Sequence, residues 1–461
     1  VPAVLLPALA EPSPSVEPRD KAITEKVDAL FAPWSKGGTP GAAVIIIRDG
    51  KILLKKGYGL ANLEEKRPIT PDTVFRLASV TKQFTAMSIM MLAERGKLKY
   101  EDSLASFFPE FSPYASKITV RHLLNHMAGF PEYDELWLEN GKIDRDWPRS
   151  SKTKPSSFEP KSKDAIPLLA QVKKPEFTPG TEFKYSNSGY VILAQIVEKV
   201  SGQSFSQFLQ QNIFQPLGMK GSALDDETRP ALGNVATSYT LKEGSYKDID
   251  YTPVNFIYGE DNVFSTVEDM YQWDQALYTE KLVKAATLKE AFTPGKLSNG
   301  APTHYGFGWS LSKTLGLDTV SHSGAWVGFC TDILRFPNEH FTVVVLSNVA
   351  EFQPQRIATK ISKIYLVDKM KFPVAIPLDP KVSGDYTGKY EFGPARIAEI
   401  TLENGQLWIQ LPGREKTKLL AESKDSFFGE GIEELGLFFT RDEKGKVKSF
   451  KVNDLTARKL P

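Results

Sequence analysis

Ser79-Val80-Thr81-Lys82 places a hydroxyl and an amine one helical turn apart. The run that follows, from Lys82 to Leu98, reads as a helix. Phe84, Met87, Met91 and Leu92 recur at near-helical spacing, and Gly96 is a natural stop. Ser79 then opens the helix, with Lys82 at i+3 on the same face. A helix N-terminus favours negative charge, so an attacking alkoxide or an oxyanion is stabilised there. A buried lysine gives up its proton readily, and a neutral amine within reach of a hydroxyl can act as its base. Alone, the four residues are a common pattern.

Two further motifs lie downstream. Tyr185-Ser186-Asn187 follows the turn signal Phe177-Thr178-Pro179-Gly180 and precedes an apolar run, Tyr190 to Val200, that reads as helix. His322-Ser323-Gly324 opens a stretch rich in strand formers that reaches Phe336. S-x-x-K combined with S-D-N and K-T-G marks class A β-lactamases and penicillin-binding proteins. Here the second element is Tyr-x-Asn and the third His-x-Gly. In this order the set resembles the class C β-lactamase and D,D-peptidase group of serine hydrolases, with its esterase and D-aminopeptidase branches. Further landmarks match: Phe75-Arg76-Leu77-Ala78, the segment Ile118 to His126, Pro216-Leu217-Gly218-Met219, Phe264 to Met270, and Tyr305-Gly306-Phe307-Gly308-Trp309. The likeness covers about residues 25 to 365.

Composition sets outer limits. The chain has 461 residues, more than one ordinary domain needs, with 41% hydrophobic and 25% charged residues. A net charge of +1 gives no electrostatic case for nucleic acid or an anionic membrane. No apolar stretch is long enough for stable membrane insertion. The single cysteine, Cys330, has no partner for an internal disulfide and reads as a buried strand thiol. Residues 1–20 read as a signal remnant or disordered leader. Val1 to Ala10 is apolar and ends Ala8-Leu9-Ala10, like the tail of a secretory signal, which predicts a secreted or periplasmic protein.

Asp49-Gly50 between Ala42–Ile47 and Lys51–Lys56 is a hairpin signal. Strands return near Val320 to Phe336 and Thr342 to Ser347. Strands at both ends of residues 21–370 with helices between them predict one α/β (α+β) unit whose sheet is closed by its terminal segments. This agrees with the fold the resemblance implies, a β-lactamase/transpeptidase-like domain with an antiparallel sheet flanked by helices. The polar stretch Pro131 to Pro175 reads as a long loop, either a lid or a mobile segment. Residues 371–380 form a Pro-rich linker. Residues 381–461 show short alternating runs with turns at Asn404-Gly405 and Lys444-Gly445, which predicts about eight strands in a small all-β barrel or sandwich. It resembles the lipocalin-like appendage of some family members and is a candidate for homo-oligomer assembly.

The chemistry implied is acyl transfer. Ser79 attacks a carbonyl and forms an acyl-enzyme that water hydrolyses. Lys82 and Tyr185 share the base role, and the sequence leaves open which one takes the proton. An ammonium beside a phenol favours its ionised form, so a tyrosinate is one of the two candidates. The resemblance implies that Asn187 holds Lys82 and meets the substrate amide, and that the oxyanion hole is formed by the amides of Ser79 and Ala325, with Gly324 between the latter and His322. His322 departs from the lysine of β-lactamases. A lysine offers a substrate carboxylate a permanent cation, whereas a histidine is neutral for much of the time at pH 7, which shifts weight toward esters, amides and D-amino acid peptides. Glu260 and Asp261 stand where relatives often carry glycines and read as pocket-rim acids for a substrate amine, or as a solvated loop. His122 and His126 share metal-ligand spacing, but no third ligand is evident. Neither a metal nor a cofactor is expected. The substrate is a small ester, peptide or β-lactam. The rival readings are a penicillin-binding sensor with slow turnover and a non-catalytic scaffold.

Overall fold

The structure is a computed structural model. It describes residues 18–461 except 112, 145, 154–155, 227–231, 380–381, 394–395, 414 and 453–454. The leader expected over the first residues lies, up to residue 17, outside the described residues. These divide into two compact units. The first runs to Ser312 and takes in Asp318–Val367. The second comprises Lys313–Leu317 and Asp368–Pro461.

The first unit begins with helix α1 (Pro18–Leu30), followed by strands β1 (Ala42–Arg48) and β2 (Lys51–Tyr58). The Asp49-Gly50 turn joins them, both residues at positive φ, as a tight hairpin requires. β1 reads Ala-Ala-Val-Ile-Ile-Ile-Arg and is buried on both faces from Ala42 to Ile47, so β-branched residues suit every position. Strands β3 (Ser310–Thr314), β4 (Leu317–Trp326), β5 (Phe329–Phe336) and β6 (Phe341–Ser347) complete a six-stranded sheet of order β3-β4-β5-β6-β1-β2. The closing pair is antiparallel, from Ala42 opposite Ser347 to Arg48 opposite Phe341.

The helical region is built on α2 (Lys82–Glu94), in which every residue from Lys82 to Leu92 is buried. It ends four residues before the expected Leu98, with Gly96 in the left-handed turn beyond it. Phe84 packs against Trp273 and Phe214, with ring centroids 4.4 and 5.6 Å apart. The polar stretch 131–175 is not a structureless loop. It carries helices α3 (Tyr133–Glu139) and α4 (Ser162–Ala170). Tyr133 and Trp137, one turn apart, are both buried, as are Ala165, Ile166 and Leu169. These sparse apolar residues at helical spacing outweigh the polar composition. Helix α5 (Asn187–Ser201) covers the apolar run after the tyrosine motif and ends at Gly202 in the left-handed conformation. Helices α6 (Val267–Ala276) and α7 (Pro354–Leu366) follow. Both pack against the sheet, and α7 also meets α1.

The second unit is a closed barrel of eight strands in sequence order, from Gly388–Glu391 to Leu455–Lys459. Both turns expected from Asn-Gly and Lys-Gly are present, between Glu403 and Gln406 and between Arg441 and Val447. Tyr386, Tyr390, Phe427, Phe439 and Phe450 are buried together in its core. Ile376, in the Pro-rich segment, donates its N–H to Ala421 O at 2.8 Å, so that segment is tied to the barrel. Among the described residues, no helix is long and apolar enough to cross a membrane.

Candidate active site

Ser79, the candidate nucleophile, sits on a tight turn between strand and helix. Phe75–Arg76 pairs with Val263–Ser265, and Leu77 N–H donates to Val263 O at 2.8 Å. Ala78 then turns the chain with φ of 49°, a left-handed conformation that costs a non-glycine residue energy and persists only under constraint. A short 3-10 turn, Ala78–Thr81, runs directly into α2. The first amides of such a turn lack intrahelical acceptors, which leaves the Ser79 N–H for an oxyanion.

The constraint comes from both sides. Thr331 Oγ1, on β5, donates to Leu77 O at 2.7 Å. Val263 N–H donates to Thr81 Oγ1 at 3.1 Å. Strand β4 backs onto the turn at Gly324, where a Cβ would lie 2.4 Å from Leu77 O and 2.9 Å from Ala78 Cβ. The glycine of the His-x-Gly motif is therefore required by close approach. Ala325, the next residue, is exposed.

Lys82 is wholly buried. Its Nζ donates to Ser79 Oγ at 3.0 Å, Asn187 Oδ1 at 2.8 Å and Glu260 O at 3.0 Å. Glu260 Oε2 lies at 3.5 Å. Burial alone would drive the amine toward its neutral form. The negative charge available on Tyr185 and Glu260 outweighs it and raises the lysine above its ordinary value. The expectation that burial frees the lysine's proton is thus corrected: Lys82 is an ammonium surrounded by acceptors.

Tyr185 is the exposed member of the group, 38% accessible, with its ring centroid 4.9 Å from Lys82 Nζ. Its ring also lies against His126, centroids 4.3 Å apart. His126 Nδ1 accepts the Ser186 N–H at 3.0 Å. Burial and the Lys82 charge hold its imidazole neutral, well below the ordinary histidine range. Ser186 caps α5 by accepting from Gly189 N–H. Glu132 Oε2 accepts the amides of Asn187 and Ser188 at 2.9 and 3.2 Å, a carboxylate placed at the positive end of a helix. These contacts fix Asn187 under the lysine.

His322 lies on the same side of β4 as Gly324 and is buried. Nδ1 lies 2.7 Å from Ser323 O and Nε2 lies 2.8 Å from the Tyr305 hydroxyl. Nδ1 therefore carries the hydrogen and Nε2 accepts from Tyr305. Burial, reinforced by Lys82, pushes the imidazole down to about 3. Both ring nitrogens are engaged within the protein and the ring is neutral, so it presents no cation.

Glu260 and Asp261 are not on a pocket rim. They are 3% and 2% accessible, because each is drawn inward by a base. Glu260 faces Lys82 and accepts from the Tyr133 hydroxyl at 2.9 Å. Asp261 Oδ2 accepts from Arg76 Nε at 3.0 Å. His122 and His126 do not converge: His122 Nδ1 accepts the Thr119 N–H at 3.3 Å within its own helical turn. Among the described residues, no group of three or more His, Cys, Asp or Glu side chains is arranged to hold a metal ion. Cys330 is buried, as expected of a strand thiol.

Sequence reasoning did not single out Tyr133, Glu132 or the role of Tyr305. Tyr133 stood in a stretch read as a polar loop. Its i,i+4 pairing with Trp137 was the available signal.

A model of the beta-lactamase family matches residues 20–364, and a model described as a domain of unknown function matches residues 373–460. A penicillin-binding protein of Bacillus subtilis is 31% identical over 426 residues, 87% of this chain and 90% of that protein. A D-aminopeptidase of Gluconobacter oxydans is 26% identical over 439 residues, 88% of this chain and 80% of that protein. The octameric penicillin-binding protein homologue from Pyrococcus abyssi superposes with a TM-score of 0.65 at 24% identity, over 95% of this chain and 100% of that one, a likeness of fold. Matched over three quarters of its length by one family model, and at 31% identity across most of a relative, the chain belongs to the beta-lactamase family of serine hydrolases.

Proposed function

We propose that this serine hydrolase cleaves small amides and esters, above all those of D-amino acids and short D-peptides, through an acyl-enzyme on Ser79. The observation that carries this reading is the neutral, internally bonded His322. It offers no cation to a substrate's free carboxylate, which β-lactams and carboxypeptidase substrates possess. The D-aminopeptidase relative supports the same substrate class.

Ser79 Oγ attacks the acyl carbon, and its proton passes to Tyr185. Lys82, already donating to Ser79 Oγ, offers no lone pair for that proton. Lys82 Nζ, 4.9 Å from the Tyr185 ring centroid, keeps a positive charge beside that transfer. Tyr185 returns the proton to the leaving amine or alcohol. Water then attacks the acyl-enzyme by the same route in reverse. The amides of Ser79 and Ala325 receive the oxyanion, a contribution of about 3 kcal/mol in such sites.

The test is a panel of D-alaninamide, a short-chain p-nitrophenyl ester, a D-alanyl-D-alanine peptide and nitrocefin. The amide and the ester are expected to show the highest kcat/KM. Faster turnover of nitrocefin than of either would overturn the reading. The 31% identical penicillin-binding relative favours a second reading, a penicillin acceptor with slow turnover. Stoichiometric labelling by penicillin that persists for hours, with no turnover of the panel, would support it. The apolar leader supports export, tested by finding the mature protein outside the cytoplasm. Assembly through the barrel is the matching proposal for quaternary state, tested by light scattering on the full chain and on a chain ending at Asp368.

A further inference from the structure

We infer that Glu260 is a positioning residue that fixes Lys82 as the ammonium and so assigns the serine proton to Tyr185. This rests on the serine-hydrolase reading of the site and concerns how its charge is set.

The geometry carries it. Glu260 holds the lysine at two points, through its backbone carbonyl at 3.0 Å and its carboxylate at 3.5 Å. Any residue supplies the carbonyl, but only an acid supplies the countercharge. An ammonium has three hydrogens, and three acceptors stand at 2.8 to 3.0 Å: Ser79 Oγ, Asn187 Oδ1 and Glu260 O. A neutral amine would serve Asn187 Oδ1 and Glu260 O and accept from the Ser79 hydroxyl, so it is the buried carboxylate at 3.5 Å that favours the ammonium. The pair is dry, with side chains 0% and 4% accessible. A buried cation persists only beside a partner.

The loop is shaped to present this acid. Gly259 has φ of 103°, and a Cβ there would lie 2.5 Å from Tyr190 O. Asn262 has φ of 84°. The two acids are flanked by left-handed residues, one of them not glycine, a strained arrangement that the surroundings hold in place. Thr85 Oγ1 anchors the Gly259 carbonyl at 2.5 Å.

Four charged or titratable groups face Glu260. They are Lys82 from α2, Tyr133 from α3, Asp261 beside it and Arg76 from the strand before Ser79. Asp134 and Asp261 act in turn on Tyr133. Asp261 is committed to Arg76 and leaves Glu260 as the carboxylate in contact with the lysine. Burial raises the Glu260 carboxyl to about 7, with Lys82 the chief opposing influence. The positioning charge is therefore present at higher pH and lost as pH falls.

The experiment follows the rate of Ser79 labelling by a fluorophosphonate reporter from pH 5 to 10. It compares the full-length wild type with Glu260→Gln, Glu260→Asp and Tyr133→Phe. In Glu260→Gln the ammonium keeps only neutral contacts, and burial drives it toward the free amine. The alkaline limb of the second-order rate constant is expected to move to lower pH by about one unit or more, with affinity for the reporter unchanged. Glu260→Asp is expected to restore part of the shift. Tyr133→Phe removes a hydrogen bond to the carboxylate, so the acid limb is expected to move upward. A Glu260→Gln profile superimposable on wild type, or scaled down without change of shape, would overturn the inference. So would a faster rate at neutral pH, which would make the free amine the base. If Glu260→Gln does not fold, an unshifted acid limb in Tyr133→Phe overturns it equally. Failure of the wild type to label at Ser79 would instead overturn the serine-hydrolase reading.

Discussion

Arg76, three residues before Ser79, forms a buried ion pair with Asp261 at 3.0 Å, both side chains 3% accessible. The preceding acid, Glu260, holds Lys82, three residues after Ser79. Consecutive carboxylates thus pin both ends of the turn that presents Ser79. Breaking a buried pair strands a charge, at a cost of about 3–5 kcal/mol. Asp261→Asn is expected to lower unfolding stability by that order, measured by urea denaturation at pH 7. A loss below about 1 kcal/mol would show that Asn255, which accepts from Arg76 at 2.9 Å, suffices to hold the arginine.

Ser79→Ala is expected to abolish both turnover and covalent labelling while the fold persists. Lys82→Ala and Tyr185→Phe should each remove most of kcat. The double variant should be little worse than either, because groups acting as one unit are strongly non-additive. Residual activity above a tenth of wild type in Ser79→Ala, or fully multiplicative losses in the double-mutant cycle, would contradict this assignment.

Gly324→Ala would place a Cβ 2.4 Å from Leu77 O and 2.6 Å from Thr331 Oγ1. The strand must then back away from the Ala78 turn. Misplacement by about 1 Å costs on the order of a hundredfold in rate. Steady-state kinetics should show the loss mainly in kcat, and the thermal midpoint should fall. Unchanged kcat would mean that β4 does not set the geometry at Ser79.

His322 yields a pH prediction. Its imidazole is held down at about 3 in the folded chain, against about 6.5 when unfolded. Between those values the unfolded chain binds the extra proton, so folding is stabilised as pH rises. The benefit is complete above the unfolded value and is lost as pH falls from about 6.5 toward 3, by at most about 1.4 kcal/mol per pH unit. The stability difference between wild type and His322→Gln, read from urea titrations at pH 7, 5 and 4, should shrink or reverse toward acid. A difference independent of pH would mean that the ring titrates normally.

The legible parts of the sequence were those governed by local chemistry. Asp49-Gly50 and Asn404-Gly405 announced their hairpins because positive φ selects those residues. Ser79 and Lys82 could be paired because helical geometry brings i and i+3 together. Glu260 was misread because an acid beside another acid normally seeks water. The bases that draw it and Asp261 inside, Lys82 and Arg76, lie 178 and 185 residues away along the chain. His322 could be read from its type as a poorer cation than lysine, but its partner, the Tyr305 hydroxyl, and its burial were not legible. Tyr133 was hidden by polar neighbours, since two apolar residues per turn are enough to seat a short helix.

The sheet of the first unit is closed by β1 against β6, and Gly41 N–H reaches Asn348 Oδ1 across 307 residues. This has a consequence for biosynthesis. On a ribosome adding about 5–20 residues per second, the apolar strand Ala42–Ile47 waits roughly 15–60 seconds for its partner. Over that interval its edge is unpaired, a state open to aggregation. Contacts so distant in sequence also slow folding once the chain is complete. Pairing of β1 with β6 is thus a late event that needs nearly the whole first unit to be present.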